Sequence, residues 1–253
     1  MAFNTPKHTM VESEDGSFTA FSTEFQEHYH STRDGALHES LYKHVIPAFE
    51  HHKNRDELRI LDICFGLGFN TLATLYYMKK HHISKKIYIY SPEFDGDLIA
   101  SLVDFNYPNI FDEFLPIIKA LSRDKVYKDD TLYIELYIGD ARLFLQETTV
   151  QFDVVYQDAF SPASNPILWT QEYFKDIGSL LKDDGILTTY SMALKTRLAL
   201  YENGFNLYLN QGENHRDATV ASKQRLTQYP QVNMEHKIAC NPDVLSLRDD
   251  MLK

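Results

Sequence analysis

The feature that most constrains this chain is an alternation. Short apolar runs are each followed by a stretch with helical spacing, from residue 58 to residue 209. Strands are expected at 58–63, 87–90, 131–137, 152–156, 185–190 and 205–209, with 217–221 as a last one. Helices are expected at 69–78, 97–105, 110–121, 141–147, 171–181 and 192–203. Strands alternating with helices specify a mostly parallel sheet covered on both faces, a doubly wound α/β fold. Ahead of it, 9–13 and 17–21 read as a β-hairpin around Glu14-Asp15-Gly16. Residues 24–33 read as irregular and rich in aromatics and histidine. Residues 35–50 read as a helix carrying Ala36, Leu37, Leu41, Val45 and Phe49. Gly185 and Gly204 read as helix stops before the next strand. From 223 onward the chain is polar and weakly patterned, which predicts a poorly ordered or loosely docked tail. The expected organisation is a hairpin and lead-in segment at 1–34, the α/β domain at 35–222 and the tail at 223–253.

The 253 residues are 43% hydrophobic and 24% charged, enough for a core without disulfides. Cys64 and Cys240 are therefore read as reduced thiols. No apolar run reaches the roughly 20 residues needed to cross a bilayer. The first ten residues lack a signal-peptide pattern, so a cytoplasmic location is expected. A net charge of −11 argues against bulk electrostatic capture of nucleic acid. Two local basic groups stand out, Lys79, Lys80, Lys85 and Lys86, and Arg216, Lys223 and Arg225; both also read as ordinary solvated surface.

In open α/β sheets, ligands bind beyond the carboxyl ends of the strands where strand order reverses, so the loops there hold the candidate residues. After the first strand comes Asp62-Ile63-Cys64-Phe65-Gly66-Leu67-Gly68-Phe69-Asn70-Thr71. Gly66 and Gly68 allow close backbone approach to a ligand at the start of a helix. Thr71 stands where a dinucleotide fold would have a third glycine, so a ligand without a pyrophosphate suits the turn. Glu93 ends the second strand, 25 residues after Gly68, where a carboxylate can accept from both ribose hydroxyls of a nucleoside. Asp140 follows the third strand and can cap the next helix, accept from an adenine amino group, or both. Asp158 follows the apolar fourth strand, with Phe160 and Pro162 as candidate apolar walls. There it can orient an amine or take its proton, or serve as a turn residue. His28, His30 and His38 lack the Cys or carboxylate spacing of a metal set, so no metal is expected. Trp169 reads as packing beside the Asn165-Pro166 turn in preference to base stacking.

The run Asp158-Ala159-Phe160-Ser161-Pro162-Ala163-Ser164-Asn165-Pro166-Ile167-Leu168-Trp169 resembles the D-G-F-x-P-x-x-N-P-x-x-W signature of the tRNA 5-methylaminomethyl-2-thiouridine methyltransferases. These form the methyltransferase half of the bifunctional bacterial enzyme MnmC. The segment from Ser22 through Phe25 and Tyr29 to Ser31, then Gly35, Glu39 and Ser40, is similar to that family's S-x-x-F-x-x-x-Y-x-S before G-L-x-E-(S/T). Phe65-Gly66-Leu67-Gly68-Phe69-Asn70 matches its F-G-x-G-x-N. The resemblance runs from about Ser22 to Phe205; its glycine turn is common to many methyltransferases, whereas the signature around Asp158 is specific. Ala159 stands where the family usually has glycine, and Cys64 where it has a smaller or polar residue.

The resemblance implies a Rossmann-like class I methyltransferase that uses S-adenosylmethionine. Its acceptor would be the aminomethyl nitrogen of 5-aminomethyl-2-thiouridine at the tRNA wobble position. It also implies that Gly66, Gly68 and Asn70 line the methionine moiety, Glu93 holds the ribose and Asp140 meets the adenine. Asp158 would face the reacting amine and Glu39 the donor's ammonium. The chain has no room for MnmC's FAD-dependent oxidase half, so a separate oxidase is expected to supply the aminomethyl substrate. Two rival readings share the turn pattern: a methyltransferase for a small-molecule amine, and a polyamine-synthase-like aminopropyltransferase, which would use a decarboxylated donor.

Overall fold

The computed structural model describes residue 3, residues 7–212 and residues 215–252. Strands β1 (His8–Glu12) and β2 (Phe18–Ser22) form the expected hairpin, and β3 (Glu27–His28) adds a third antiparallel strand. That third strand falls in the segment expected to be irregular. At two residues it is too short to show an alternation. Helix α1 (Ala36–Ser40) runs through a π-helical stretch, Leu41–Val45, into α2 (Ile46–His51).

The alternation then unfolds as β4 (Glu57–Ile63), α3 (Phe69–Lys80), β5 (Lys86–Glu93), α4 (Gly96–Ser101), α5 (Leu115–Asp124), β6 (Val126–Lys128), β7 (Leu132–Ile138), α6 (Ala141–Glu147), β8 (Phe152–Gln157), α7 (Gln171–Leu180), β9 (Leu181–Thr189), α8 (Leu194–Glu202), β10 (Asn206–Gly212), β11 (His215–Ser222) and α9 (Met234–Cys240). Among the described residues the main sheet has the order β10-β11-β9-β8-β4-β5-β7-β6. The five central strands, β9 to β7, are parallel; β10, β11 and β6 run antiparallel to their neighbours. Strand order reverses at β4, where β5 and β7 build to one side and β8 and β9 to the other. A ligand crevice is expected at that point.

Side chains of the central strands alternate between two cores. Leu58, Ile60, Val154 and Tyr156 face the layer of α1 to α5. Leu61, Ile63 and Val155 face α6 to α9. Burial on both faces is why these strands read as continuous apolar runs.

Further sequence expectations need correction. The helix expected at 110–121 is a 3₁₀ stretch, Asn109–Phe114, followed by α5. Pro116 lacks an N–H and its ring crowds the carbonyl four residues back, so one continuous α-helix cannot pass. Gly185 is not a helix stop. It lies inside β9, which begins at Leu181 opposite Phe152. Gly204, by contrast, ends α8 with φ +81°.

The segment after Ser222 is docked rather than loose. Gln231 bridges Tyr208, while Val232, Met234 and Ser246 are buried. Asp249 takes two hydrogen bonds, 2.8 and 2.6 Å, from the Arg142 guanidinium. These anchors are isolated residues in a polar sequence, so they leave no periodic signal.

Candidate active site

A cavity of about 620 Å³ opens at the carboxyl ends of β4, β5, β7 and β8, under the N-terminal sheet. Gly66, Asn70, Glu93, Asp140, Asp158, Phe160 and Glu39 all line it. Gly68 and Pro162 do not.

Gly68 acts from behind the lining. It precedes α3 in the left-handed region, φ +78°, and a Cβ there would lie 2.9 Å from the Phe65 ring. Gly66, φ +55°, would bring a Cβ within 3.1 Å of the Tyr29 ring. The apolar wall expected of Pro162 comes instead from Ile167 and Leu168, with Phe160 as expected.

Glu93 is a backbone clamp. Its carboxylate accepts from the amide of Gly66 at 2.9 Å and from that of Asp95 at 2.9 Å, tying the β4 and β5 loops together. Burial pushes its carboxyl above the usual range, and the backbone donors oppose that shift. Asp140 accepts from the Arg142 amide at 2.7 Å, so the helix cap is formed while the carboxylate still borders the cavity. Glu39 is already engaged. It pairs with buried Lys43 and accepts from the Ser31 amide at 2.9 Å. Burial raises its pKa, but His30, 3.7 Å away, and the charge of Lys43 prevail, holding it well below the carboxylate range.

Asp158 sits in a network the sequence did not disclose. Asn70 donates to it at 3.0 Å and to Asp62 at 3.1 Å. Asp62 is buried at the end of β4. Burial drives its carboxyl well above the usual range despite the Asn70 hydrogen bond, and the charges of Asp158 and Glu93 add to the rise. On the far side, His44 Nε2 lies 3.5 Å from the Asp158 carboxylate. Asn70 is 88 residues from Asp158 and His44 is 144 from its other partner, Thr188. No local pattern reports such separations.

The loop after β8 is held by side chains. Trp169 is buried and donates from its indole nitrogen to the Phe160 carbonyl at 2.7 Å, which is the packing role expected. Tyr190 donates to the Ala159 carbonyl at 2.9 Å. The roof joins from above. Phe25 stacks on Phe160 at 4.6 Å, and Glu27 accepts from the Ser161 amide at 2.9 Å. Tyr29 packs edge-on against Phe160 at 4.9 Å. Cys64 lines the cavity with φ +66°, and burial pushes its thiol up, so it stays a neutral thiol.

Several members of the two basic groups are engaged within the protein, in keeping with their reading as ordinary surface. Lys79 pairs with Glu113, and buried Lys85 donates to the carbonyls of His52 and Lys53. Both lie at the amino ends of the parallel strands, the edge remote from the cavity. The second group splits. Arg216 borders the cavity 3.6 Å from Asp34, whereas Lys223, at the other end of β11, donates to the Gly178 carbonyl.

The fold, the strand-order reversal and a glycine turn facing a strand-end acid define a class I S-adenosylmethionine-dependent methyltransferase. Residues 109–224 match a family described as S-adenosyl-L-methionine-dependent methyltransferase. The crystal structure of MNMC2 from Aquifex aeolicus is 30% identical, covers 97% of this chain and 80% of that one, and superposes with a TM-score of 0.83. The chain belongs to this family, the MnmC methyltransferase-domain family. An uncharacterised protein of Methanocaldococcus jannaschii is 31% identical over 97% of this chain and 68% of its own length. The tRNA 5-methylaminomethyl-2-thiouridine biosynthesis bifunctional protein MnmC of Azoarcus sp. is 29% identical over 84% of this chain and 37% of its own length. The chain therefore spans about a third of that bifunctional relative. A probable spermidine synthase from Corynebacterium glutamicum shares the fold at 11% identity and a TM-score of 0.59. That likeness gives the aminopropyltransferase reading a common fold and nothing more. No helix of the described residues is long and apolar enough to cross a membrane.

Proposed function

We propose that this methyltransferase acts on the wobble uridine of tRNA, converting 5-aminomethyl-2-thiouridine to its methylaminomethyl form, with a separate oxidase supplying the substrate. The reading rests on one observation above all. A half-buried carboxylate, Asp158, stands with aromatic walls at the β8 end of a cavity whose other end is a backbone cradle. The donor is assigned to the cradle, with Gly66 and Asn70 at its methionine end, Gly68 shaping the turn, Glu93 at its ribose and Asp140 toward its adenine. At 620 Å³ the cavity is within the roughly 300–1,000 Å³ of small-molecule sites. Glu39, already paired with Lys43, acts on the donor's ammonium through field rather than by a free carboxylate.

S-adenosylmethionine, when bound, supplies a methyl carbon whose bond to sulfur breaks with the electron pair staying on sulfur. The chain's part is to present a neutral amine. A substrate ammonium must first lose a proton, and Asp158 is the carboxylate placed to receive it. Asn70 fixes one carboxylate oxygen. Phe160, Tyr29 and Phe25 offer π faces that favour a cationic neighbour and exclude water. Positioning supplies most of the rate gain. Residues 35–222 form the catalytic unit in this reading, with the N-terminal sheet as its roof and the C-terminal segment as a brace.

The test is purified protein with S-adenosylmethionine and tRNA bearing 5-aminomethyl-2-thiouridine, read by mass spectrometry of the wobble nucleoside. A gain of one methyl group is expected. An unchanged nucleoside, alongside methylation of a free small amine, would overturn the tRNA assignment.

A further inference from the structure

His44 stands in the π-helical stretch between α1 and α2, and its side chain is fully buried. One ring nitrogen is anchored: Nδ1 lies 2.8 Å from Thr188 Oγ1. The Thr188 hydroxyl is in turn 3.4 Å from the Val155 carbonyl, to which it donates. With the hydroxyl hydrogen given to that carbonyl, Thr188 presents a lone pair to the ring, and in this arrangement His44 Nδ1 carries the proton. Nε2 is then a bare lone pair. It has no hydrogen-bond partner among the described residues, and it faces Asp158 Oδ1 across 3.5 Å. The opposite carboxylate oxygen, Oδ2, is occupied by Asn70. Two lone-pair-bearing atoms thus face each other across a gap too long for a hydrogen bond and suited to closing around one proton. A π-helical insertion, frequent at functional sites, displaces the residues of this turn from regular helical positions.

We infer that His44 is a positioning residue for proton removal, forming with Asp158 and Thr188 a relay that holds the proton released by the substrate amine. The inference rests on the tRNA-amine reading above. The substrate ammonium gives one proton to Asp158, and its nitrogen keeps the pair that forms the new N–C bond. The proton lies between Oδ1 and Nε2, the carboxylate and imidazole drawing together around it. Nδ1–H remains on Thr188 throughout. The methylated amine leaves as a secondary ammonium, and the held proton passes to solvent once the cavity opens. The Tyr156 ring, 5.3 Å from the imidazole, walls the relay on its core side.

The test combines kinetics and spectroscopy. His44→Gln keeps an amide near the Nε2 position but cannot take up a proton. It is expected to slow single-turnover methylation by about 10- to 100-fold, with the S-adenosylmethionine Kd and the tRNA KM within about twofold of wild type. In an Asp158→Asn background the same change is expected to cost less than about twofold, because the two residues act through one proton. Equal losses in both backgrounds, or wild-type turnover in His44→Gln, would overturn the relay. The wild-type enzyme supplies an arm independent of folding and of substrate identity. ¹⁵N NMR at pH 8 should show His44 protonated at Nδ1 and bare at Nε2, and a proton on Nε2 would refute it. Failure of the wild type to methylate tRNA would remove the tRNA reading while the spectrum still decides the tautomer.

Discussion

Strand β8 has an aspartate near each end, and the two live differently. Asp153, near the amino end, is fully buried. It is 3.1 Å from the Arg55 guanidinium and 2.8 Å from the Lys182 ammonium, and it accepts from the Arg59 amide at 2.8 Å. Asp158, just past the carboxyl end, is half-buried and has no lysine or arginine within ion-pair distance among the described residues. Asn70 holds it instead, with His44 Nε2 3.5 Å away. Asp153's charge is consumed by structure. Asp158's is not, and in the reading proposed above it remains available to a substrate amine. The cationic environment, rather than the residue type, sets the two aspartates apart.

The sharpest way to break that contrast is at Asp158. Asp158→Asn is isosteric and should lower single-turnover methylation by about 10²- to 10⁴-fold, with donor affinity by calorimetry and melting temperature essentially unchanged. A loss of donor affinity as large as the loss of rate would move Asp158 to the binding side. Asp153→Asn should do the reverse. Unpairing two cations and a backbone donor costs about 3 kcal/mol in chemical denaturation, with turnover per folded molecule retained. Gly68→Ala probes the cradle opposite. The left-handed backbone costs a non-glycine residue about 1–2 kcal/mol, and the Phe65 ring blocks the new methyl, so the melting temperature and donor affinity should fall together. Trp169→Phe should cost about 1 kcal/mol by stranding the Phe160 carbonyl, and turnover should fall several-fold as the β8 loop loosens.

The smallest effect returns to the amino end of β8. Burial, then the neighbouring His51, lowers the His52 pKa from its ordinary 6.5 to about 4. Its Nε2 donates to the Asp153 carbonyl at 3.0 Å. The unfolded chain then binds more protons than the folded one between those values, so stability falls as pH drops from 6.5 toward 4. His52→Asn should flatten that part of a melting-temperature profile, and an unaltered slope would remove His52 as its cause.

Sheet and cradle were legible because their determinants are local. An apolar run with a glycine turn, or with an acid at its end, is written in consecutive residues, as at Gly66 and Glu93. Asp158 and Trp169 could be picked out on the same ground. His44, Asp62 and Tyr190 could not. His44 matters through residues more than a hundred positions away, and Asp62 reads as one polar position in a buried strand. The docking of α9 and Asp249 was hidden too, since a few isolated anchors carry no periodicity. Pro116 was visible, and its power to break a helix was the signal available for dividing 110–121.

The roof has a consequence for how the enzyme is put together. Phe25, Glu27 and Tyr29 belong to the first thirty residues yet seal a chamber whose floor is laid down by the sheet. A protein trimmed back to Asp34 would lose β1 to β3, keep the main sheet and show a trough where the intact chain has a chamber. Water would then reach the amine as freely as the methyl donor does, and selectivity would fade before affinity was lost.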